Sequence, residues 1–411
     1  MIIWLVFAYR NIFRNKRRSL MALAMIATAV STMLLAGGFV NYSFKGLAES
    51  TVRADTGSMQ IANKKTFENV PFSKEMILSD TTRAELSRIL DSNPQVDYYF
   101  DITVVDGLLS SGELSRSVIV KATDIQAQVR LSSVFSPIVR GSIPTNLDEN
   151  PFSAMIGENL AKSLSLNIGD SITILVSTID GGINAIDLSV VAFLKTGIPD
   201  VDSRMVIIPR QALAILQNND AVQTRIVVLK DLLNVESVMA EINEKLINDN
   251  NIVIKSWEDM SNYYKQVKDI YGAIFIFFFV MIFIMMLISI SNTMTVVVFE
   301  RVKEIGTMRS FGFSKKQLSI NFTLEALLMG IMGFFIGLLT ALFISYILNN
   351  VVNIVMPPPP GMTKGYPLAI DMDFMLILLV FVVIIIVTLL SSIAPVRLAT
   401  KIKIVEALGH V

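Results

Sequence analysis

Cysteine is absent and histidine occurs once, as His410, so the side chains that most often supply nucleophiles, proton shuttles and zinc ligands are nearly missing. No Ser/His/Asp set assembles around His410, no HExxH occurs, and no GxxxxGK[ST] phosphate loop is present. Without cysteine there is neither a disulfide framework nor a thiol nucleophile. Paired carboxylates remain, Asp200 with Asp202 and Glu258 with Asp259, and such pairs can divide acid and base roles around a substrate. Close pairs of this kind are more often solvated surface. The chain is read as non-catalytic, with no cofactor and no metal of its own.

A charged run of both signs occupies residues 300–318, ERVKEIGTMRSFGFSKKQL, between two long uncharged stretches. Glu300, Glu304 and Met308 are four apart, and Val302, Ile305 and Met308 form an apolar edge three apart, which fits a short amphipathic helix. Gly312 ends it, and Ser314 with Gln317 three residues on carries the pattern that starts the next helix. Such a helix, lying across a membrane face with both signs of charge, suits docking of a partner. A connector with a solvated face fits the same spacing. Glu325 follows inside an apolar stretch, where an ionisable residue points to function, or to a pairing with Lys316 or Arg309.

These residues need a membrane scaffold. The 411 residues are 53% hydrophobic, while 35 basic and 35 acidic residues cancel; this is a membrane protein with a large soluble part and no signature of nucleic-acid binding. Residues 20–40, 273–299, 320–348 and 374–394 are each long and apolar enough to cross a core of ~30 Å as a helix. Glycines at 330, 333 and 337 imply close packing in the third. Lys and Arg gather before span one, in 300–318 and after span four, whereas the loop 349–373 carries only Lys364. The positive-inside rule then places both termini, the 395–411 tail and the 300–318 loop in the cytoplasm, and residues 41–269 outside it. Residues 1–19 put their apolar run before the basic one, so they read as an amphipathic entry helix rather than a cleavable leader. Pro357 to Pro360 read as a stiff extended brace in the outer loop.

The 41–269 segment reads as α+β. Strands are expected at 57–62, 98–109 and 114–121, the last two as a hairpin, with a helix at 82–90. A second such unit has a strand at 224–229, a helix at 235–246 and a strand at 251–254. Residues 54–124 and 221–257 form a core lobe on this reading, and 125–220 a second lobe inserted into it, with a strand at 171–177.

Residues 300–317 strongly resemble the loop ERxxEIGxxRAxGxSxxQ of permease subunits in the FtsX, MacB and Lol class of ABC transporters. The likeness extends to Ala8 through Asn15, to Glu325 in FTLEALLMG and to Ala394-Pro395. It implies that the loop is a coupling helix docking into a separate dimeric ATPase, which carries the ATP and Mg. The contacts carried over are Glu300, Arg301, Glu304, Ile305, Gly306 and Arg309, closed by Gly312. Residues 156–161 and 166–170 are similar to a segment shared by MacB-like domains. Residues 191–197 with Asp202 look like VxGxFxTGxxxxD of the lipoprotein-releasing Lol permeases, with Ala192 in place of Gly.

The resemblance therefore implies ATP-driven extraction of lipoproteins from the cytoplasmic (inner) membrane towards an outer membrane, by mechanotransmission. A second permease, identical or related, and a periplasmic lipoprotein carrier would be partners. Acyl chains would sit between spans one and two, with Met25, Met33, Leu34, Phe275, Phe279, Met286 and Ile290 as lining; packing or lipid contact explains the same residues. Withdrawing acyl chains costs about 0.8 kcal/mol per CH₂, hence the need for ATP. The segment 177–187 lacks the proline-bounded hook that recruits a carrier in that branch. MacB-like export of another amphiphile and FtsX-like signalling to a cell-wall hydrolase remain open alternatives.

Overall fold

The computed structural model describes residues 16–68, 72–132, 138–142, 151–246, 251–352, 354–355 and 367–402. Of the expected entry helix at 1–19, residues 1–15 lie outside them, as do the proline run and His410, and residues 16–19 belong to the first long helix. The chain divides into two compact units, one built on the apolar helices and one on Gly46–Gln266.

Helix α1 (Lys16–Thr51) begins in the first unit and ends in the second. A π-helical turn at Val52–Thr56 follows, closed by Gly57 at φ 66°. Strand β1 (Met59–Asn63) therefore begins two residues later than the sequence pattern suggests. Helix α2 (Asp80–Asp91) starts where the Ser79 hydroxyl accepts from Thr82 N, and it buries Leu86, Ile89 and Leu90. Strands β2 (Val96–Ser110) and β3 (Ser115–Thr123) form the expected hairpin. After α3 (Ile125–Ser132) come β4 (Ile138–Gly141), β5 (Ser153–Gly157), β6 (Ser171–Ser177), β7 (Ile183–Leu194), β8 (Met205–Pro209) and α4 (Arg210–Gln217). Strand β9 (Thr224–Leu229), α5 (Val235–Lys245) and β10 (Ile252–Ser256) complete the domain.

At one end the strand order is β10-β1-β9-β2, every neighbour antiparallel. The units β1-α2-β2 and β9-α5-β10 each have a strand of the other inserted between their own, a pair of interleaved split βαβ units. Both helices pack on one core with Met59, Ile61, Val227, Leu229 and Ile254. At the other end the pairings β2-β3-β8-β5-β7-β6 return to β2. They close a small six-stranded barrel filled by residues such as Leu109, Val118, Val120, Ile156, Ile174 and Val206.

The lobes thus share β2 and β3, and no boundary at residue 125 separates them. The fifteen-residue β2 pairs with β9 over its first half and with β6 over its last four residues. Gly107 lies at the first of these β6 pairings, where a Cβ would come within 2.9 Å of the Leu175 carbonyl oxygen.

In the helical unit, α6 (Asn262–Glu300), α7 (Val302–Ser310), α8 (Lys315–Asn350) and α9 (Phe374–Lys401) join α1. Among the described residues, α1, α6, α8 and α9 are long and apolar enough to cross a membrane. Their shared core includes Ile26, Val30, Leu34, Met294, Met329, Phe334 and Ile384. The α8 glycines permit this packing: a Cβ at Gly333 would lie 2.5 Å from Ile26, one at Gly337 would lie 2.7 Å from the Ala27 carbonyl, and one at Gly330 would lie 2.3 Å from Thr388. The Ser31 hydroxyl donates to the Gly337 carbonyl oxygen at 2.8 Å. The fold class read from the sequence, four spanning helices with a large α+β domain, is the one observed.

Candidate functional site: the charged loop and its anchor

The chain leaves α6 at Arg301, whose backbone (φ −105°, ψ 17°) is no longer helical, and re-enters helix at once in α7. The far end of α7 is closed by a Schellman pair: Phe313 N donates to Met308 O at 3.1 Å and Gly312 N to Arg309 O at 3.1 Å. Gly312 sits at φ 93°, which a residue with a Cβ adopts only under strain. Ser314 and Gln317 then form a capping box that starts α8. The end of the short helix and the start of α8 are set by local turn chemistry, while the first residues of α7 carry no side-chain cap.

Its faces differ sharply. Val302, Ile305 and Gly306 are buried, and Ile305 packs with Val298, Leu318, Phe322 and Ala399. Arg309 reaches back through Nη1 to the Ile402 carbonyl oxygen at 2.6 Å. The exposed face carries Glu300, Lys303, Thr307 and Ser310, and it continues into Phe311, which is 82% exposed, then Phe313, Lys315 and Lys316. Of the contact set expected from the sequence, Arg301, Ile305 and Gly306 are buried within this chain. Glu300 lies on the open face and Glu304 at its edge, half-buried.

Arg301 is 5% exposed and Glu325 3%. The Arg301 Nη1 donates to Glu325 Oε2 at 3.1 Å and Oε1 at 3.4 Å, and its Nε donates to Glu304 Oε2 at 2.9 Å. The guanidinium also lies 5.9 Å from the centre of the Phe322 ring. Glu325 is thus paired with Arg301, not with Lys316 or Arg309. The sequence pattern missed this because an arginine at the start of a charged loop reads as solvated. One turn earlier on α8, Asn321 is buried with neither amide atom partnered among the described residues, an arrangement that costs about 1–3 kcal/mol per group.

The suggested acyl-chain lining is divided. Met33, Leu34, Met286 and Ile290 are buried in the helical core, which places them in packing. Phe275 and Phe279 are partly exposed with rings 6.2 Å apart, and Met25 is exposed beside the Ser289 hydroxyl. The hollow bounded by Ala22, Ile26, Ser289, Thr293 and Met329 is only about 10 Å³, at the lower limit for one water.

One carboxylate of each pair is held in structural hydrogen bonds. Asp202 is buried and accepts from Thr196 N and Oγ1, both at 2.7 Å. Asp259 accepts from the Ser256 hydroxyl and pairs with Lys265; the Ser256 hydrogen bond holds its carboxyl below the usual range. Among the described residues no group of His, Cys, Asp and Glu is arranged to hold a metal. An ion network in the α+β domain went unread. Arg225 binds both oxygens of Asp101, while Arg210 and Arg83 converge on Asp220. Its signal was one arginine inside the apolar run TRIVVL.

Two family models cover nearly all of this arrangement. The MacB-like periplasmic core domain matches residues 19–245, more than half of the chain, and the FtsX-like permease C-terminal domain matches residues 275–404. The chain belongs to the FtsX/MacB-type ABC transporter permeases. Among curated relatives it is 31% identical over 128 residues to the ABC transporter permease YtrF of Bacillus subtilis, covering 29% of this chain and 28% of that one. It is 52% identical over 46 residues to an uncharacterised ABC transporter permease of Methanocaldococcus jannaschii, covering 11% of this chain and 12% of that one. These alignments span well under a third of either relative. Solved structures similar to it include the periplasmic region of MacB from Actinobacillus actinomycetemcomitans, at 13% identity and TM-score 0.37 over 53% of this chain and 95% of that one. The extracellular domain of the transporter YknZ from Gram-positive bacteria gives 11% and 0.34 over 48% and 99%. For an FtsX/MacB-type permease, membership implies a membrane setting.

Proposed function

We propose that this permease extracts lipoproteins from the cytoplasmic membrane and delivers them outward, driven by ATP hydrolysis on a separate dimeric ATPase that docks on the 300–318 loop. The loop and both ends of the chain lie in the cytoplasm on this reading, and two permease copies, identical or related, face each other. The observation that carries it is the packing of the helical unit: among the described residues its core is built of apolar side chains, and the hollow beside Ala22, Ile26, Ser289 and Met329 is only about 10 Å³. Work done on the loop is conveyed along α1 and α6, which continue unbroken from one unit into the other. A substrate already anchored in the bilayer suits such a machine, because its apolar part never needs an aqueous pore.

One observation favours the second reading, export of another amphiphile. Thr178 N to Gly182 O at 2.8 Å closes the β6–β7 hairpin in a tight turn, with no projecting hook for a carrier. Purification with the co-expressed ATPase, followed by mass spectrometry of what is carried and what ATP discharges, tests both. Acylated lipoproteins released by ATP support extraction. A small amphiphile in their place moves the assignment to export, and a captured hydrolase moves it to signalling.

A further inference from the structure

Glu325 and Asn321 occupy one buried face of α8, one helical turn apart, and Arg301 sits at the bend that separates α6 from α7. An apolar contact between α7 and α8 would let the two slide. A buried ion pair resists that, since separation leaves two charges uncompensated. We propose that Arg301 is a positioning residue that locks the start of the loop helix to α8 through Glu325, with Asn321 as a second seat one turn away.

Three features carry this. Arg301 is turned from solvent and so is not available to a partner. It spends Nε on Glu304 within α7 and Nη1 on Glu325 in α8, tying the two helices through one rigid fork. Asn321 holds an amide oxygen able to accept from a guanidinium, yet it has no partner among the described residues. A shift of α7 along α8 by one turn, about 5.4 Å, would exchange Glu325 for Asn321. Two discrete seats make a switch, where a smooth apolar surface would make a slip. The inference rests on the ATP-driven reading above but is independent of what the substrate is.

The absence of cysteine gives a clean background for a single label. Tyr346, 65% exposed and near the far end of α8, is replaced by Cys and labelled with bimane in the full permease–ATPase complex in nanodiscs. With Arg301→Gln, ATPase co-purification stays at the wild-type level and the ATP-driven bimane change falls about tenfold, within the span of measured coupling factors. Arg301→Glu combined with Glu325→Arg restores most of it, and Arg301→Lys, which keeps the charge but not the fork, lies between. An unchanged bimane response in Arg301→Gln overturns the proposal. So does loss of ATPase co-purification, which would make Arg301 a docking contact, or failure of both the swap and Arg301→Lys to recover the response in protein with a wild-type Tm. A wild-type complex with no ATP-driven change at Tyr346→Cys overturns the ATP-driven reading itself.

Discussion

Arg225 and Asp101 stand directly opposite each other on β9 and β2, and the guanidinium donates Nε to Oδ1 at 2.8 Å and Nη2 to Oδ2 at 3.0 Å. Both side chains are buried, and removing Arg225 leaves Asp101 only the longer pairing with Arg210 Nη1 at 3.6 Å. Arg225→Met should destabilise the α+β domain by about 3–5 kcal/mol, while Asp101→Leu combined with Arg225→Met should recover most of that loss. Urea unfolding of the full chain, followed by Trp257 fluorescence after Trp4→Phe, measures both. Equal losses in single and double variants would show that packing, not charge, sets the cost.

Acid should weaken the same region. Burial raises the Asp220 carboxyl, but the hydrogen bonds and charges of Arg210 and Arg83 outweigh it and hold the group below the ordinary range. A carboxyl lowered by folding contributes its full stability above the unfolded value, near ~3.9, and loses it as pH falls through the folded value. Glu158, beside Lys162, is lowered as well. Urea midpoints should therefore drop on acidification below about pH 4, and less steeply in Asp220→Asn. A parallel decline in the variant would remove Asp220 as a source.

Helices, turns and most strands were legible because each is written locally. Leu86, Ile89 and Leu90 mark one face of α2, and Ser314 with Gln317 writes a helix start. The closed barrel was not, because it depends on parallel pairings of β3 with β8 and β5 with β7, and on β2 serving two partners. Nothing local in β2 except Gly107 signals the change of partner. The charged loop was located from its residues, yet its faces were misjudged: Arg301 and Glu325 neutralise each other across twenty-four positions, a separation that helical periodicity does not register.

Docking should depend on the face that is open. Phe311→Asp places a charge on a residue 82% exposed and outside every core cluster. It should leave the Tm unchanged, since surface substitutions of this kind stay within about 0.5 kcal/mol, and reduce ATPase co-purification at least about tenfold, as loss of an exposed aromatic anchor does. Wild-type recovery of the ATPase would move the contact towards Glu300 and Lys303.

Close approach of α1 and α8 should be intolerant of volume. Gly337→Val would drive its side chain into the Ala27 carbonyl and Val30, an overpacking that costs typically about 1–3 kcal/mol. A lowered Tm in detergent is expected, with partial rescue by Val30→Ala. No change in Tm would mean that the helices separate without cost.

Asn321 gives the opposite expectation. Its amide is buried without a partner among the described residues, while Leu has the same branched shape, is somewhat larger, and asks for no hydrogen bond. Asn321→Leu should raise the Tm, corresponding to roughly 1–3 kcal/mol for relief of the unsatisfied groups. If the amide receives Arg301 during the cycle, the same change should slow ATP-driven turnover, because the second seat is gone and the first is unaltered. A stabilised variant with wild-type turnover would mark Asn321 as a passive defect, and a destabilised one would mean that its amide is satisfied in the membrane. Gain of stability together with loss of turnover is the one combination that ties this residue to the stroke.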